Sequence, residues 1–153
     1  AFSTGSSMAT MPITLKTADD DLKIDSRVSK FVIPFGTTVN MDGTALYQAM
    51  VTVFIANAFN MDLTISQQGI ILVTAVLASI GAAGVPGTGL ITLMMVLKSV
   101  GVPLEGIGIV LGVDRIIDMA RTATNVLDDA VALAFVASTE GEQFAEGVRI
   151  QKG

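Results

Sequence analysis

A polar stripe runs through the longest apolar stretch of this chain, and it limits what the chain can fold into. On a helix advancing about 100° per residue, Asp114, Asp118, Arg121, Asn125 and Asp129 recur at steps of four, three, four and four within residues 107–137 and share one face. Thr122 lies beside them and Asp128 on the opposite margin, while Ile116, Ile117, Met119, Ala120, Ala123 and Val126 cover the rest. In water such a row is usually a solvated face. Here the surroundings are apolar: 51% of residues are hydrophobic and 15% charged, with a mean hydropathy of +0.66, greasier than an average soluble domain. The charges are also segregated, with eight in residues 16–30 and none in residues 63–97. That distribution argues for a membrane, where ionisable groups are rare and mark ligand or ion paths.

Several function classes fall away. A net charge of −5 offers no basic patch, which excludes nucleic acid as a partner. The chain has no cysteine and no histidine, so disulfides, thiolate nucleophiles and the commonest zinc ligand are absent. Ala1-Phe2-Ser3-Thr4-Gly5 lacks a basic region followed by an apolar run, so it does not read as a signal peptide. The abrupt start reads as the middle of a longer chain.

The expected fold class is an all-α membrane protein, with re-entrant helical hairpins plus a broken and a long amphipathic transmembrane helix. Residues 1–17 are expected to be the second half of a first re-entrant hairpin; residues 1–15 are small, hydroxylic and apolar, suiting a tight loop before a short helix with Pro12 in its first turn. Residues 18–30 read as a polar surface loop. Residues 31–59 are long enough to span a bilayer, which takes about 20 residues, but Asn40-Met41-Asp42-Gly43-Thr44 interrupts them with poor helix formers. An unwound turn at membrane depth is tolerated where it lines a cavity, and its oxygens suit a hard cation. A plain interhelical loop explains the same residues. Ser66 is the expected N-cap of the next helix.

Residues 67–99 hold two short apolar segments around Gly81-Ala82-Ala83-Gly84-Val85-Pro86-Gly87-Thr88-Gly89, which cannot continue a helix. A hairpin that enters the membrane and returns fits best, its tip exposing backbone N–H and C=O groups. A Gly-rich surface loop is the bland alternative; a nucleotide loop would need a Lys-Ser/Thr that is missing. Residues 106–139 are the striped last transmembrane helix, and residues 140–153 a polar tail. Interrupted apolar segments of this kind surround the binding site in secondary transporters. Each Asp at mid-membrane costs about 2.5–3.5 kcal/mol on insertion scales, so Asp42, Asp118, Arg121 and Asp129 need compensating partners. Arg121 offers a fork to a carboxylate and Asp118 an acceptor to an ammonium, unless the two simply bridge one another.

Four motifs carry a resemblance. Asn40-Met41-Asp42-Gly43-Thr44-Ala45-Leu46-Tyr47, the tip at Ala78–Gly87, Asp118-x-x-Arg121-Thr122-x-x-Asn125-Val126-x-x-Asp129, and Ser6-Ser7-Met8-Ala9-Thr10-Met11-Pro12 resemble, in order and spacing, the dicarboxylate/amino-acid:cation symporters. That family includes the excitatory glutamate transporters and archaeal aspartate transporters, and the resemblance covers residues 3 to about 140 as a C-terminal transport-core fragment. It implies that Asp118 holds a substrate ammonium and Arg121 its side-chain carboxylate. Asn125, Thr122, Thr44 and backbone at Ser7, Val85 and Gly89 would bind the main-chain carboxylate. Sodium ions would use Asp129, Asn125, Asn40 and the Gly36 carbonyl at one position. Thr38 with carbonyls of Ser79, Ile80 and Ala82 would serve a second, and Asn40 with Asp42 a third, shared with a helix outside this chain.

The resemblance further implies an acidic amino acid as substrate, Na+ as the coupled ion, and the second hairpin as a gate in an elevator-type movement past scaffold helices. The complete protein would be a homotrimer, multi-pass in the plasma or inner membrane and in contact with lipid. This chain departs from the pattern at Gly5, Met8 and Asp128. Gln48 stands where animal glutamate transporters carry a Glu thought to move a proton; an amide cannot, so sodium coupling without proton or potassium coupling is expected. Three rivals stay open: a sodium-coupled transporter of neutral amino acids or dicarboxylates, a membrane channel or assembly subunit, and a soluble enzyme with Asp118 and Asp129 as paired carboxylates.

Overall fold

A computed structural model of the chain describes residues 1–82 and 84–141. Six helices follow in order among these residues: α1 (Ser7–Asp20), α2 (Ser26–Val39), α3 (Asp42–Ala58), α4 (Ile65–Ile80), α5 (Thr88–Ser99) and, after a short 3-10 turn at Leu104–Gly106, α6 (Ile107–Thr139). No strand occurs among them. The polar tail expected at 140–153 lies, beyond Gly141, outside the described residues.

Local chemistry sets the boundaries. Ser6, in extended backbone, caps α1 by accepting from the Ala9 amide, as Ser does for orphan N–H groups of a first turn. Because α1 begins at Ser7, Pro12 falls in its second turn and not its first; lacking an N–H, it leaves the Met8 carbonyl without its helical partner. The loop expected at 18–30 shrinks to the link between Asp20 and Ser26. Charged residues there occupy the outer faces of α1 and α2, while Ala18 and Ser29 are buried and the Ser29 hydroxyl donates to Asp19 Oδ1 at 2.6 Å. Asp25 caps α2, accepting from the Arg27 amide at 2.7 Å.

The helix break falls at Asn40 and Met41, whose ψ values of 81° and 51° are not helical. Thr64, not Ser66, caps α4: it forms a capping box with Gln67, each side chain answering the other's backbone. Between α4 and α5, Gly87 takes φ +83°, a conformation that glycine adopts without steric penalty.

α3 packs against α4, α5 and α6, and α4 against α5; α2 and α1 pack on each other and on α6. Two apolar clusters result. One joins Ile55, Ala56, Ile71, Ala75, Leu93, Val96 and Leu97, and the other Ala18, Ile24, Val32, Ile33, Leu133 and Ala137. The middle of α6 crosses between them with its polar stripe inward. Ile116, Leu127, Val131 and Phe135 point outward and are exposed. Such inversion, with buried polar groups and exposed large apolar ones, is the informative departure from a water-soluble pattern.

Among the described residues no helix is both long and apolar enough to cross a membrane. The segments expected to lie in the membrane, a broken one at 31–59 and a long amphipathic one at 106–139, depart from a plain apolar span for different reasons. The first is divided at Asn40–Met41 into helices of 14 and 17 residues. The second has the length, 33 residues, but carries Asp114, Arg115, Asp118, Arg121, Asp128 and Asp129.

Candidate functional site

The stripe becomes a site because three chain breaks meet over it. The residues before α1, the α2–α3 break and the turn between α4 and α5 all converge on the middle of α6. Gly5 and Ser7, Met41 and Thr44, and Gly84, Val85 and Thr88 face Asp118, Arg121, Thr122 and Asn125 around a cavity of about 10 Å³, room for roughly one water. The breaks are tied together. The Gly84 carbonyl accepts from the Ser6 hydroxyl at 2.8 Å and from the Met8 amide at 3.2 Å. A side chain at 84 would press on Met8, Met41 and the Thr37 carbonyl.

At one end of the cavity lies a charge cluster. Arg121 donates to Asp118 Oδ1, both residues being buried. The guanidinium also lies 5.2 Å from the centroid of the Tyr47 ring, within cation–π range. Tyr47 donates its hydroxyl to Asp114 Oδ1 at 2.7 Å. Gly89 is the floor under Arg121: a methyl group there would occupy the space of the guanidinium. In this conformation the two charges answer each other and the cavity between the breaks is nearly closed.

At the other end of the stripe Asp129, 1% exposed, is met by α2. Its Oδ2 accepts from the Thr37 hydroxyl and its Oδ1 from the Asn40 amide, each at 3.3 Å. Gly36 lies directly below the carboxylate, and its carbonyl accepts from the Asn40 backbone amide at 2.7 Å. One turn back along α6, Asn125 accepts from the Gly43 amide at 2.8 Å and donates to the Thr44 hydroxyl at 3.2 Å. Among the described residues no group of three or more His, Cys, Asp and Glu could hold a metal ion. The donors at this end are instead one carboxylate with amide, hydroxyl and carbonyl oxygens. Hard, oxygen-only and singly charged, that set suits a monovalent hard cation better than zinc, and carries less charge than calcium sites use.

The expected residues divide accordingly. The structure gathers Ser7, Thr44, Val85, Asp118, Arg121, Thr122 and Asn125 around one cavity, sets Gly89 under the Arg121 guanidinium, and brings Gly36 and Asn40 to the Asp129 carboxylate. Thr38 stands apart: it is exposed and its hydroxyl donates to the Pro34 carbonyl at 2.9 Å. Ser79 is buried, and its carbonyl accepts from the Ala82 amide at 3.0 Å, while the Ile80 side chain is exposed. Asp42 is exposed at the start of α3. Sequence reasoning missed Thr37, Tyr47, Met41 and Thr88 as members of the site. Tyr47 follows Thr44 by three residues, so helical spacing alone placed it on the same face. Asp118 and Asp129 lie eleven positions apart, about 16 Å along the helix axis, too far to act as paired acid and base on one group.

A larger, open groove of about 910 Å³ lies where the α1–α2 link meets the end of α6, lined by Asp19, Lys23, Phe31, Val136 and others; none of the stripe's site residues lines it.

Comparison with known proteins gives the family. The model of the sodium:dicarboxylate symporter family matches residues 1–139. The excitatory amino acid transporter 1 of Ambystoma tigrinum is 46% identical over 147 residues, covering 96% of this chain and 27% of that protein. The excitatory amino acid transporter 3 of Oryctolagus cuniculus is 50% identical over 131 residues, covering 86% and 25%. The excitatory amino acid transporter 5 of Mus musculus is 45% identical over 152 residues, covering 99% and 27%. The chain thus spans about a quarter of the length of these relatives.

Proposed function

This chain belongs to the sodium:dicarboxylate symporter family, and we propose that it is the substrate- and cation-binding core of a sodium-coupled secondary transporter for acidic amino acids. The observation that carries the reading is the buried Arg121–Asp118 pair beneath the α4–α5 turn. A ligand bearing an ammonium and a second carboxylate replaces both halves of that pair at once. The ammonium takes Asp118, the side-chain carboxylate takes Arg121, and neither protein charge is left alone in a low-dielectric site. The main-chain carboxylate then falls to Asn125, Thr122, Thr44 and backbone at Ser7, Val85 and Gly89. The names of the relatives, excitatory amino acid transporters, support this class.

Sodium binds at Asp129, Asn125, Asn40 and the Gly36 carbonyl in this reading, a set supported by the donors gathered around Asp129. A second ion uses Thr38 with the carbonyls of Ser79, Ile80 and Ala82 once the Thr38 hydroxyl leaves Pro34, and a third uses Asn40 and Asp42. The α4–α5 hairpin is the gate, re-entrant in the bilayer, because its tip is what closes the cavity. Exposed Phe31, Phe35, Leu72, Leu77, Ile116 and Phe135 meet lipid or the scaffold helices of the complete, multi-pass, trimeric protein, which moves this core as an elevator. Gln48 leaves no proton carrier at its position, so coupling is to sodium without proton or potassium.

The test is sodium-dependent L-aspartate binding to the complete transporter. Arg121→Ala should weaken aspartate by about 2–5 kcal/mol, the penalty for truncating one partner of a buried charge pair, and should spare neutral amino acids. Aspartate bound as before in that variant, or binding indifferent to sodium in the parent, would contradict the reading.

A further inference from the structure

Asp118 has a second arginine. Arg115 Nη1 lies 3.6 Å from Asp118 Oδ2, while Arg121 takes Oδ1, so the two guanidiniums divide the carboxylate's oxygens between them. They differ in surroundings. The Arg121 side chain is 7% exposed and that of Arg115 59%. The room for Arg115 comes from the chain before α1. Gly5 takes φ +58°, and a Cβ there would meet Arg115 Nη1 at 2.9 Å and Cζ at 3.3 Å. A bare backbone in a left-handed conformation therefore forms the ledge on which the outer guanidinium rests, and Gly5 itself lines the cavity beside Asp118 and Arg121.

We propose that Arg115 is a positioning residue for Arg121: it keeps a counter-charge on Asp118 while Arg121 exchanges to the side-chain carboxylate of the ligand. The inference rests on the function proposed above. Asp118 is 3% exposed, and removing the sole partner of a buried charge is expensive. With two guanidiniums on one carboxylate, Arg121 can turn away without stranding it. Without Arg115, Asp118 holds Arg121 more tightly, and any ligand that needs Arg121 must break a stronger bond to reach it. Tyr47, which meets Arg121 through its ring, and Asp114, which accepts from the Tyr47 hydroxyl, do not substitute, because neither supplies Asp118 with positive charge.

The experiment measures sodium-dependent L-aspartate affinity in the complete transporter, parent against Arg115→Gln, Arg115→Lys, Gly5→Ala and the Gly5→Ala/Arg115→Gln double variant. Arg115→Gln should weaken aspartate about two- to fivefold, the scale of one partly screened charge pair. Arg115→Lys should keep the parental affinity, since a 3.6 Å contact needs a charge and not a fork. Gly5→Ala, which displaces the guanidinium, should weaken binding too, and the double variant should be no worse than the weaker single. The unfolding midpoint without amino acid should be the same in parent and Arg115→Gln. Unchanged affinity in Arg115→Gln, equal losses in Gln and Lys, additive losses in the double variant, or a midpoint falling with the affinity would each overturn the inference and leave the proposed function standing. A parent that binds no aspartate with sodium would overturn both.

Discussion

Gly36→Ala sets two known effects against each other at the carboxylate end of the site. In a helix interior, alanine is favoured over glycine by about 1 kcal/mol, so α2 alone predicts a more stable variant. The added methyl, however, would fall against Asp129, with Cγ at 2.9 Å and an oxygen nearer still. Contacts under 3.0 Å are cheap only when the neighbour is the free end of a long side chain. Asp129 is short, 1% exposed, and tied to Thr37 and Asn40, so it has no room to swing. Overpacking of this kind costs about 1–3 kcal/mol and outweighs the propensity gain. The displaced oxygens are those assigned to sodium. If the same 1–3 kcal/mol appears in ion binding, the sodium needed for half-maximal L-aspartate binding rises roughly 5- to 150-fold, and the unfolding midpoint falls. A variant with parental sodium dependence would show that the Asp129 carboxylate is not where the ion sits. A raised midpoint would show that the methyl finds space after all.

Two further outcomes are expected. Gln48, fully buried, donates to Thr92 and leaves its own Oε1 without a partner; Thr92→Val should therefore destabilise by about 1–3 kcal/mol, and Gln48→Leu/Thr92→Val by less than the single change, both read as unfolding midpoints in detergent. A neutral Thr92→Val would mean that this bond does not hold α5 to α3. At the α1–α2 link, hydrogen bonds from the Arg27 side chain and backbone lower the Asp25 pKa from 3.8 to about 2. A depressed carboxylate stabilises above its unfolded value and loses that contribution as pH falls through the folded one. The midpoint difference between parent and Asp25→Asn, whose amide still caps the helix, should thus shrink from about pH 4 to about pH 2 at low salt; a constant difference would refute the pairing.

What the sequence revealed and what it hid follow from the same cause. Spacing along a helix says which residues share a face, so the α6 stripe was legible from Asp114 to Asp129. Poor helix formers say where a helix stops, so the breaks at Asn40–Met41 and at 81–87 were legible as well. Neither says which face meets which. Thr37 and Asp129 are 92 positions apart, Tyr47 and Asp114 67, and nothing local to Thr37 marks it over Thr38. The structure chooses Thr37, buried against α6, and leaves Thr38 to the Pro34 carbonyl. Charge density misled in the other direction. Residues 18–30 look like a loop because they are polar, yet polarity confined to one face is compatible with two helix ends closed by a serine–aspartate bond. Ser66 was a fair cap by type, but only Thr64 has Gln67 at the distance a capping box requires.

The same reasoning bears on why α6 buries a charge pair at all. Taking two ions out of water costs several kcal/mol each, and replacing such a pair with apolar residues of similar volume is often neutral or stabilising. Replacing Asp118 and Arg121 together by a leucine and a methionine is expected to cost little stability. Stability therefore does not account for Asp118 and Arg121. The function proposed above does: in it the pair holds both charges desolvated and oriented, so that a ligand with complementary groups replaces one set of close contacts with another. The near absence of free volume around them fits that proposal, in which the α4–α5 turn is the gate: its opening would admit a ligand to either charge, and its closing would leave the new pairs as dry as the old one.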